Sequence, residues 1–133
     1  MSNQTIFVNV GLSSTQDGKL STMDQELVRW IVETKFPYCG IVSEPYKSSW
    51  TDSDGVTYEE DCLAFKVTVP EIHAWSVVAT QERINSIRVL CKQDAVAFHN
   101  ISPQGRHYRE VHYGPEQPKD ALVFDADYFH YVV

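Results

Sequence analysis

The sequence predicts an α+β fold in which two helices cover one face of an antiparallel β-sheet. Three observations predict it: strict alternation of apolar residues near the N-terminus, two segments with apolar residues at helical spacing, and further alternating segments between and after these helices. A length of 133 residues with 43% hydrophobic and 22% charged residues fits one globular domain with a buried core. We therefore expect residues 1–133 to form a single domain.

The first strand and the first helix have clear patterns. Residues 5–12, TIFVNVGL, alternate so that one face carries Ile6, Val8, Val10 and Leu12. Thr22 and Gln25 have the spacing of a capping box, which predicts Thr22, next to Ser21, as the N-cap. Pro37 ends the helix because its ring excludes a further helical turn. The expected apolar stripe consists of Met23, Leu27, Trp30 or Ile31, and Thr34.

Two strands are expected next. The segment 41–50, IVSEPYKSSW, reads as a second strand with Pro45 at an edge or a bulge. Residues 52–55, DSDG, have turn chemistry, and residues 58–69 return as a third strand ending before Pro70. Leu63, Phe65, Val67 and Val69 share one face of that third strand.

A second helix and a fourth strand complete the expected domain. The helix is predicted to start near His73 or Ala74, and the strand to span Ala95 to Ile101. The buried row of the helix contains Val77, Thr80, Ile84, Ile87 and Cys91, with Trp75, Val78, Asn85 and Arg88 on its flanks.

The element order βαββαβ is the ferredoxin-like arrangement, which we assign to residues 1–103. Residues 104–133 are expected to add a C-terminal β extension, in which YREVHY pairs with the β-rich end as a hairpin or strand pair. The sheet face away from the helices would stay open unless the extension or a partner covers it. We therefore expect a homo-oligomer.

Composition narrows the possible functions. A net charge of −7 disfavours binding to duplex nucleic acid, which needs a cationic surface. No apolar run has the length of a membrane span and the N-terminus lacks a signal-type block, so we expect a cytoplasmic protein. Cys39, Cys62 and Cys91 form no CxxC pair and are expected to be buried, reduced thiols. No catalytic motif, cofactor motif or metal-ligand spacing is present, so we predict no catalytic residue, no cofactor and no metal.

The segment after the fourth strand carries the strongest ligand signal. Arg106 and Arg109 alternate with aromatic residues, and Tyr108 lies between them. Guanidinium groups bind phosphate through paired hydrogen bonds, and aromatic rings stack on bases. Gly105 allows a close approach of the backbone to a ligand. The alternative is a solvent-facing strand in which these arginines pair with Glu110.

Trp75 is a second candidate, because it lies at the start of the second helix and outside the buried row. It is either a stacking platform for a ligand or a tryptophan packed at the margin of the sheet. Asn85 and Arg88 lie on the more solvent-exposed flank, where they could line a pocket with Trp75. His107 and His112 are five residues apart, which puts them on opposite faces of a strand and argues against a shared metal.

The sequence resembles two families. VNVGLS in the first strand, KFP after the first helix, a hairpin with Trp50, Asp54-Gly55 and Glu59, and RINSIRVLCKQDAV resemble an uncharacterised bacterial family of ferredoxin-like proteins. That resemblance covers the N-terminal two-thirds and implies a fold without an activity.

Chain length, element order and the C-terminal strands resemble phage anti-defence proteins that sequester cyclic ADP-ribose signals of the Thoeris system. Those proteins are oligomeric and non-enzymatic. The resemblance implies adenine stacking by Trp75, a contribution from Asn85, and phosphate contacts from Arg106 and Arg109. We therefore predict non-catalytic sequestration of a small nucleotide-derived signalling molecule by Trp75, Asn85, Arg106, Tyr108 and Arg109.

Two other functions fit the same sequence. One is an enzyme of the dimeric α+β barrel type acting on a small apolar substrate, with His99, Asn100 and Trp30 at its centre. The other is a protein–protein inhibitor module that uses the open sheet face.

Overall fold

A computed structural model describes residues 2–14, 21–51, 54–93, 95–113 and 123–124. Its strands are β1 (Gln4–Gly11), β2 (Ser13–Ser14), β3 (Ser21–Thr22), β4 (Cys39–Val42), β5 (Tyr46–Thr51), β6 (Thr57–Val69), β7 (Ala95–Ile101), β8 (His107–Tyr113) and β9 (Val123–Phe124). Its helices are α1 (Gln25–Lys35), a 3₁₀ turn (Glu71–His73) and α2 (Val77–Leu90).

The main sheet has the strand order β8-β7-β1-β6-β5-β9, and β4 also pairs with β6. All of the pairings are antiparallel, and β1 lies between β6 and β7. The short strands β2 and β3 form a separate pair. This topology confirms the predicted α+β, ferredoxin-like class.

The core lies between the two α-helices and one face of this sheet. Alternation places the predicted faces of β1 and β6 inward, and every residue predicted for those two faces is at most 3% exposed. The buried row of α2 is confirmed at Thr80, Ile84, Ile87 and Cys91, each of which is fully buried, whereas Val77 is half-buried. Arg88, expected on the flank, is buried as well.

The start of each helix differs from the sequence-based expectation. Asp24, rather than Thr22, caps α1 by accepting a hydrogen bond of 3.1 Å from the Leu27 amide. The buried stripe of α1 consists of Val28, Ile31 and Val32, so Ile31 is the alternative that is buried, and Trp30 is exposed. The α2 helix starts at Val77 with Ser76 as its N-cap, because Pro70 and the 3₁₀ turn take up the preceding residues.

The strands also differ from the sequence-based expectation in two places. The second strand is divided into β4 and β5, since Pro45 lies in the break and lacks the amide needed for continuous pairing. Among the described residues, the two C-terminal strands pair separately: β8 joins β7 at one edge of the sheet, and β9 joins β5 at the other. Most of residues 114–133 lies outside the described residues.

The sheet face opposite the helices carries a second, smaller cluster of buried residues. Phe7, Ala64 and Ala97 on that face are buried, and Tyr46, also buried, donates a hydrogen bond from its hydroxyl to Asn9. In the described part of the chain, neither helix is long and apolar enough to cross a membrane.

Candidate functional site

A pocket of about 380 Å³ opens where the start of α2 meets the ends of β1 and β7. This volume lies within the range of roughly 300–1,000 Å³ that is common for small-molecule sites. Its lining residues are Gln4, Trp75, Ser76, Val77, Asn100, Ser102, Pro103, Gln104, Arg106 and Tyr108.

Strand pairing brings three of these residues together. Asn100 in β7 is directly opposite Tyr108 in β8 and also pairs with Ile6 in β1. Opposite residues of an antiparallel pair share a face, so Asn100 and Tyr108 lie on the same side of the sheet as the helices. Gln4, two residues before Ile6, lies on that side too. The pocket is therefore built on the edge of the helix-covered face.

A buried amide network forms the inner wall of the pocket. Gln4 is 1% exposed and Asn100 is 2% exposed. The Trp75 amide donates to Gln4 Oε1 at 2.9 Å, and Gln4 Nε2 donates to the Trp75 carbonyl at 3.0 Å. Gln4 Nε2 also donates to Asn100 Oδ1 at 3.1 Å. One side chain thus joins β1 to β7 and to the segment before α2.

The indole of Trp75 is held between aromatic residues and a cation. Phe36 meets it edge-on with ring centroids 5.3 Å apart, and Tyr38 contacts it at 6.1 Å. The guanidinium carbon of Arg83 lies 4.6 Å from the ring centroid, while Arg83 Nη1 donates to the Lys35 carbonyl at 2.6 Å. Trp75 therefore packs at the sheet margin and lines the pocket at the same time.

A tight turn positions Arg106 at the pocket rim. The Gly105 amide donates to the Ser102 carbonyl at 2.9 Å, and the Arg106 amide donates to Ser102 Oγ at 3.1 Å. Gly105 has a φ of +83°, a backbone conformation that residues with a Cβ atom rarely adopt. The glycine was expected to allow approach to a ligand; in the structure it shapes the turn that presents Arg106.

The structure brings together three of the five residues predicted to bind a ligand: Trp75, Arg106 and Tyr108. Asn85 lies elsewhere on α2, where its Oδ1 accepts hydrogen bonds from Arg88 Nε at 3.2 Å and Nη2 at 3.0 Å. Arg109 is directly opposite His99, on the other face of the sheet, because it is one residue from Tyr108 in an extended strand. Ligand binding by these side chains stays a prediction.

The residues predicted from the sequence to bind a ligand did not include Gln4, Ser76 or Ser102, which line the pocket. Gln4 begins a row of residues that continues with the apolar Ile6, Val8 and Val10. Its polar side chain in that row was the available signal that it could line a pocket. Asn100 was considered only with His99 and Trp30 as a possible enzyme centre. The structure separates these three: Asn100 lines the pocket, His99 lies on the opposite sheet face, and Trp30 is 64% exposed on α1.

A histidine pair lies on the sheet face away from the pocket. His99 Nε2 and His107 Nδ1 are 2.9 Å apart and share a hydrogen bond, and the His99 ring is 5.9 Å from Phe7. Burial lowers the pKa of His99, and the positive charges of Arg109 and His107 lower it further. A neutral His99 is therefore favoured in the folded protein.

The cysteine thiols are unreactive, and among the described residues the side chains that could bind a metal ion are dispersed. Burial raises the pKa of Cys62 and Cys91 to about 12 and that of Cys39 to about 11, so these thiols are poor nucleophiles at neutral pH. Among the described residues, no three side chains of histidine, cysteine, aspartate or glutamate are grouped closely enough to hold a metal ion.

Comparisons with known proteins give a match only at the level of structure. No protein-family model matches the chain. No curated protein matches it either. A solved structure of a phage SAM lyase in complex with S-methyl-5′-thioadenosine is similar, with a TM-score of 0.62, 12% identity, and coverage of 88% of this chain and 94% of that chain. The same enzyme class in its apo state gives a TM-score of 0.58 at 13% identity, with equal coverage.

These similarities contradict the predicted non-enzymatic sequestration, because both solved structures belong to an enzyme. They favour the enzyme alternative over the main prediction. Neither of them confirms the predicted cyclic ADP-ribose sponge. At 12–13% identity, the likeness establishes the shared fold.

Proposed function

We propose that the chain is an enzyme that binds S-adenosylmethionine in the pocket beside Trp75 and releases S-methyl-5′-thioadenosine from it. One observation carries the proposal. Trp75, Arg106 and Tyr108 meet in a ligand-sized pocket of a fold that a phage SAM lyase shares. The same likeness supports a phage origin and action in the cytoplasm of the host cell.

The lining of the pocket suits the chemistry of this substrate. Aromatic rings can stack on adenine, and their electron-rich faces attract a sulfonium cation. Trp75 and Tyr108 supply two such rings, and Asn100 supplies a buried amide for a polar edge of the ligand. The net charge of −7 also favours the approach of a substrate whose overall charge is positive. Polar side chains around the pocket favour this ligand over the small apolar substrate expected for a barrel-type enzyme.

The described lining residues also suggest the type of reaction. None of them carries a carboxylate, imidazole or thiol. An elimination reaction would need such a group as a general base to remove a proton from the substrate. The substrate's own carboxylate can attack the γ-carbon that is bonded to sulfur. An oxygen–carbon bond then forms and the carbon–sulfur bond breaks, with its electron pair moving to sulfur. The products are a five-membered amino lactone and S-methyl-5′-thioadenosine, and no proton is transferred.

In this reaction the protein acts by orienting its substrate. The pocket would hold the adenosyl part by stacking and fold the amino-acid part so that carboxylate, γ-carbon and sulfur are in line. The bound substrate would then be held in a conformation that is rare in solution. This alignment accelerates an intramolecular displacement. A hydrophobic wall at Trp75 would also exclude water from the competing hydrolysis.

The test is turnover of S-adenosylmethionine by the purified chain, followed by mass spectrometry of the products. We expect S-methyl-5′-thioadenosine together with the lactone or its hydrolysed acid. Arg106→Ala should lower the rate about tenfold or more, because the guanidinium lies at the pocket rim. Arg109→Ala removes the same charge from the opposite face and should keep the wild-type rate. Recovery of intact substrate after prolonged incubation would refute the proposal.

A further inference from the structure

Gln4 determines which end of the Asn100 side-chain amide can face the pocket. In the Trp75 backbone, the N–H is always a donor and the carbonyl always an acceptor. Because the Trp75 N–H contacts one end of the Gln4 amide, that end must be Oε1. Because the Trp75 carbonyl contacts the other end, that end must be Nε2. The Gln4 amide therefore has only one orientation that satisfies both backbone groups.

The orientation of the Gln4 amide also determines the orientation of the Asn100 amide. Gln4 Nε2 is a donor, so the Asn100 atom at 3.1 Å must be the acceptor Oδ1. Turning the Asn100 amide over would set two NH₂ groups against each other inside a buried network, since both residues are at most 2% exposed. Unpaired buried donors are costly, and this excludes the alternative orientation. Within the described part of the chain, Asn100 Nδ2 has no hydrogen-bond partner of its own.

We infer that Gln4 is a positioning residue that makes Asn100 present an NH₂ donor to the pocket, so that the ligand must place a hydrogen-bond acceptor there. The inference deepens the proposed function, because it states the polarity of one contact in that site. Ring nitrogens of adenine and the oxygens of ribose are acceptors of this kind. A ligand that offers only a donor at this position would be rejected, because two donors would then face each other.

The first arm of the test uses S-methyl-5′-thioadenosine as the probe and calorimetry as the readout, and it rests on the proposed function. Asn100→Asp keeps the shape and the acceptor for Gln4 but replaces the pocket-facing NH₂ with an oxygen. We expect the affinity to fall by about tenfold to a hundredfold. Gln25→Glu makes the same amide-to-carboxylate change on the exposed surface of α1 and should leave the affinity unchanged. An Asn100→Asp variant with wild-type affinity would overturn the inference.

The second arm needs no ligand. In ¹⁵N-resolved hydrogen exchange, the Gln4 side-chain amide should be protected because Gln4 is buried and both of its N–H groups are donated, one to the Trp75 carbonyl and one to Asn100 Oδ1. The Asn100 amide should exchange faster, through the pocket. Gln4→Glu replaces this donor with an acceptor and should turn Asn100 over, so that its NH₂ becomes protected and affinity for the probe falls. A merely structural role of Gln4 would not slow exchange at Asn100.

The two arms separate the possible failures. If the exchange order is as expected but the wild-type chain does not bind the probe, the proposed function fails and the orientation of Asn100 stands. If Asn100 is protected and Gln4 exchanges rapidly in the wild-type chain, the inference is overturned whatever the probe does.

Discussion

At the scale of single residues, Trp75 lies outside the buried row of α2 and nevertheless lines the pocket. Its position one residue before the N-cap of α2 leaves the indole at the sheet margin. There Phe36 and Arg83 restrict its movement, and the pocket opens beside it. An aromatic ring held in this way loses little conformational entropy when it stacks on a ligand.

This arrangement predicts the effect of removing the indole. Trp75→Ala should weaken binding of S-methyl-5′-thioadenosine by about 1–3 kcal/mol, the usual contribution of stacking on one base. Calorimetry measures the affinity, and circular dichroism checks that the variant is folded. Trp30→Ala is the matched control, because that tryptophan is 64% exposed on α1 and should not affect binding. Equal losses for both variants would contradict the assignment of Trp75 to the site.

The pair of His99 and His107 predicts a pH dependence of stability. The pKa of His99 is lowered in the folded state by burial, Arg109 and His107, while in the unfolded chain it is near 6.5. The unfolded state therefore binds more protons at low pH. The contribution of His99 to the free energy of unfolding is therefore fully present above about pH 6.5. It decreases as the pH drops from there toward the folded pKa of His99.

Thermal denaturation at several pH values checks this prediction. The melting temperature should decrease by a few degrees between pH 7 and pH 5, and this decrease should be smaller for His99→Gln, which has no titrating ring. If His99→Gln shows the same pH profile as the wild-type chain, the lowered pKa of His99 is not its cause.

At the scale of elements, the sequence predicted which segments are helices and strands better than it predicted where they start. Thr22 and Asp24 are both good N-cap residues, and only tertiary contacts decide between them. In the structure Thr22 belongs to β3, which removes it from the helix and leaves the cap to Asp24.

The corrected cap predicts a difference between two neighbouring substitutions. Asp24→Ala should reduce the free energy of unfolding by about 1 kcal/mol, because the Leu27 amide loses its partner. Thr22→Ala should have a clearly smaller effect, since Thr22 is exposed and caps no helix. Chemical denaturation measures both values, and the reverse ranking would show that Thr22 is the cap.

The turn between β7 and β8 predicts that stability and activity can be separated. Gly55 and Gly105 have φ of +79° and +83°, and no atom would obstruct a Cβ at either position. Each change to alanine should therefore cost about 1 kcal/mol of stability through backbone strain alone. Only Gly105→Ala should also lower the turnover of S-adenosylmethionine, because its turn presents Arg106.

Denaturation and product formation, measured on the same two proteins, check this pair. Unchanged activity in a destabilised Gly105→Ala variant would mean that the shape of this turn does not matter for the reaction.

At the scale of the whole molecule, the order of elements was sufficient to predict the ferredoxin-like sheet. Alternation in β1 and β6 and the buried row of α2 are local patterns, and they identified most of the core correctly. Local sequence patterns do not determine which edge of the sheet β8 and β9 join, because each strand could form its backbone hydrogen bonds at several positions of the sheet. This is why the predicted pairing of the two C-terminal strands is not found among the described residues.

The candidate site was predictable only in part for a similar reason. Arg106, Tyr108 and Trp75 carry functional groups that are conspicuous in a sequence. Gln4 and Asn100 act through a hydrogen-bond network across strands far apart in the chain, and no local pattern shows that pairing. Arg109 had the right chemistry, but the two-residue period of β8 directs it to the other face.

The predicted homo-oligomer also belongs to this scale and stays a prediction. Native mass spectrometry should show a multiple of the 15.2 kDa chain. A single species at the mass of one chain, across a range of protein concentrations, would contradict it.

The central claim is that the pocket beside Trp75 holds an adenosyl ligand. A crystal structure of the chain grown with S-methyl-5′-thioadenosine tests it most directly. We expect the ligand in that structure to contact Trp75 and Tyr108 and to accept a hydrogen bond from Asn100 Nδ2. A ligand bound at any other place, with this pocket empty, would contradict this claim.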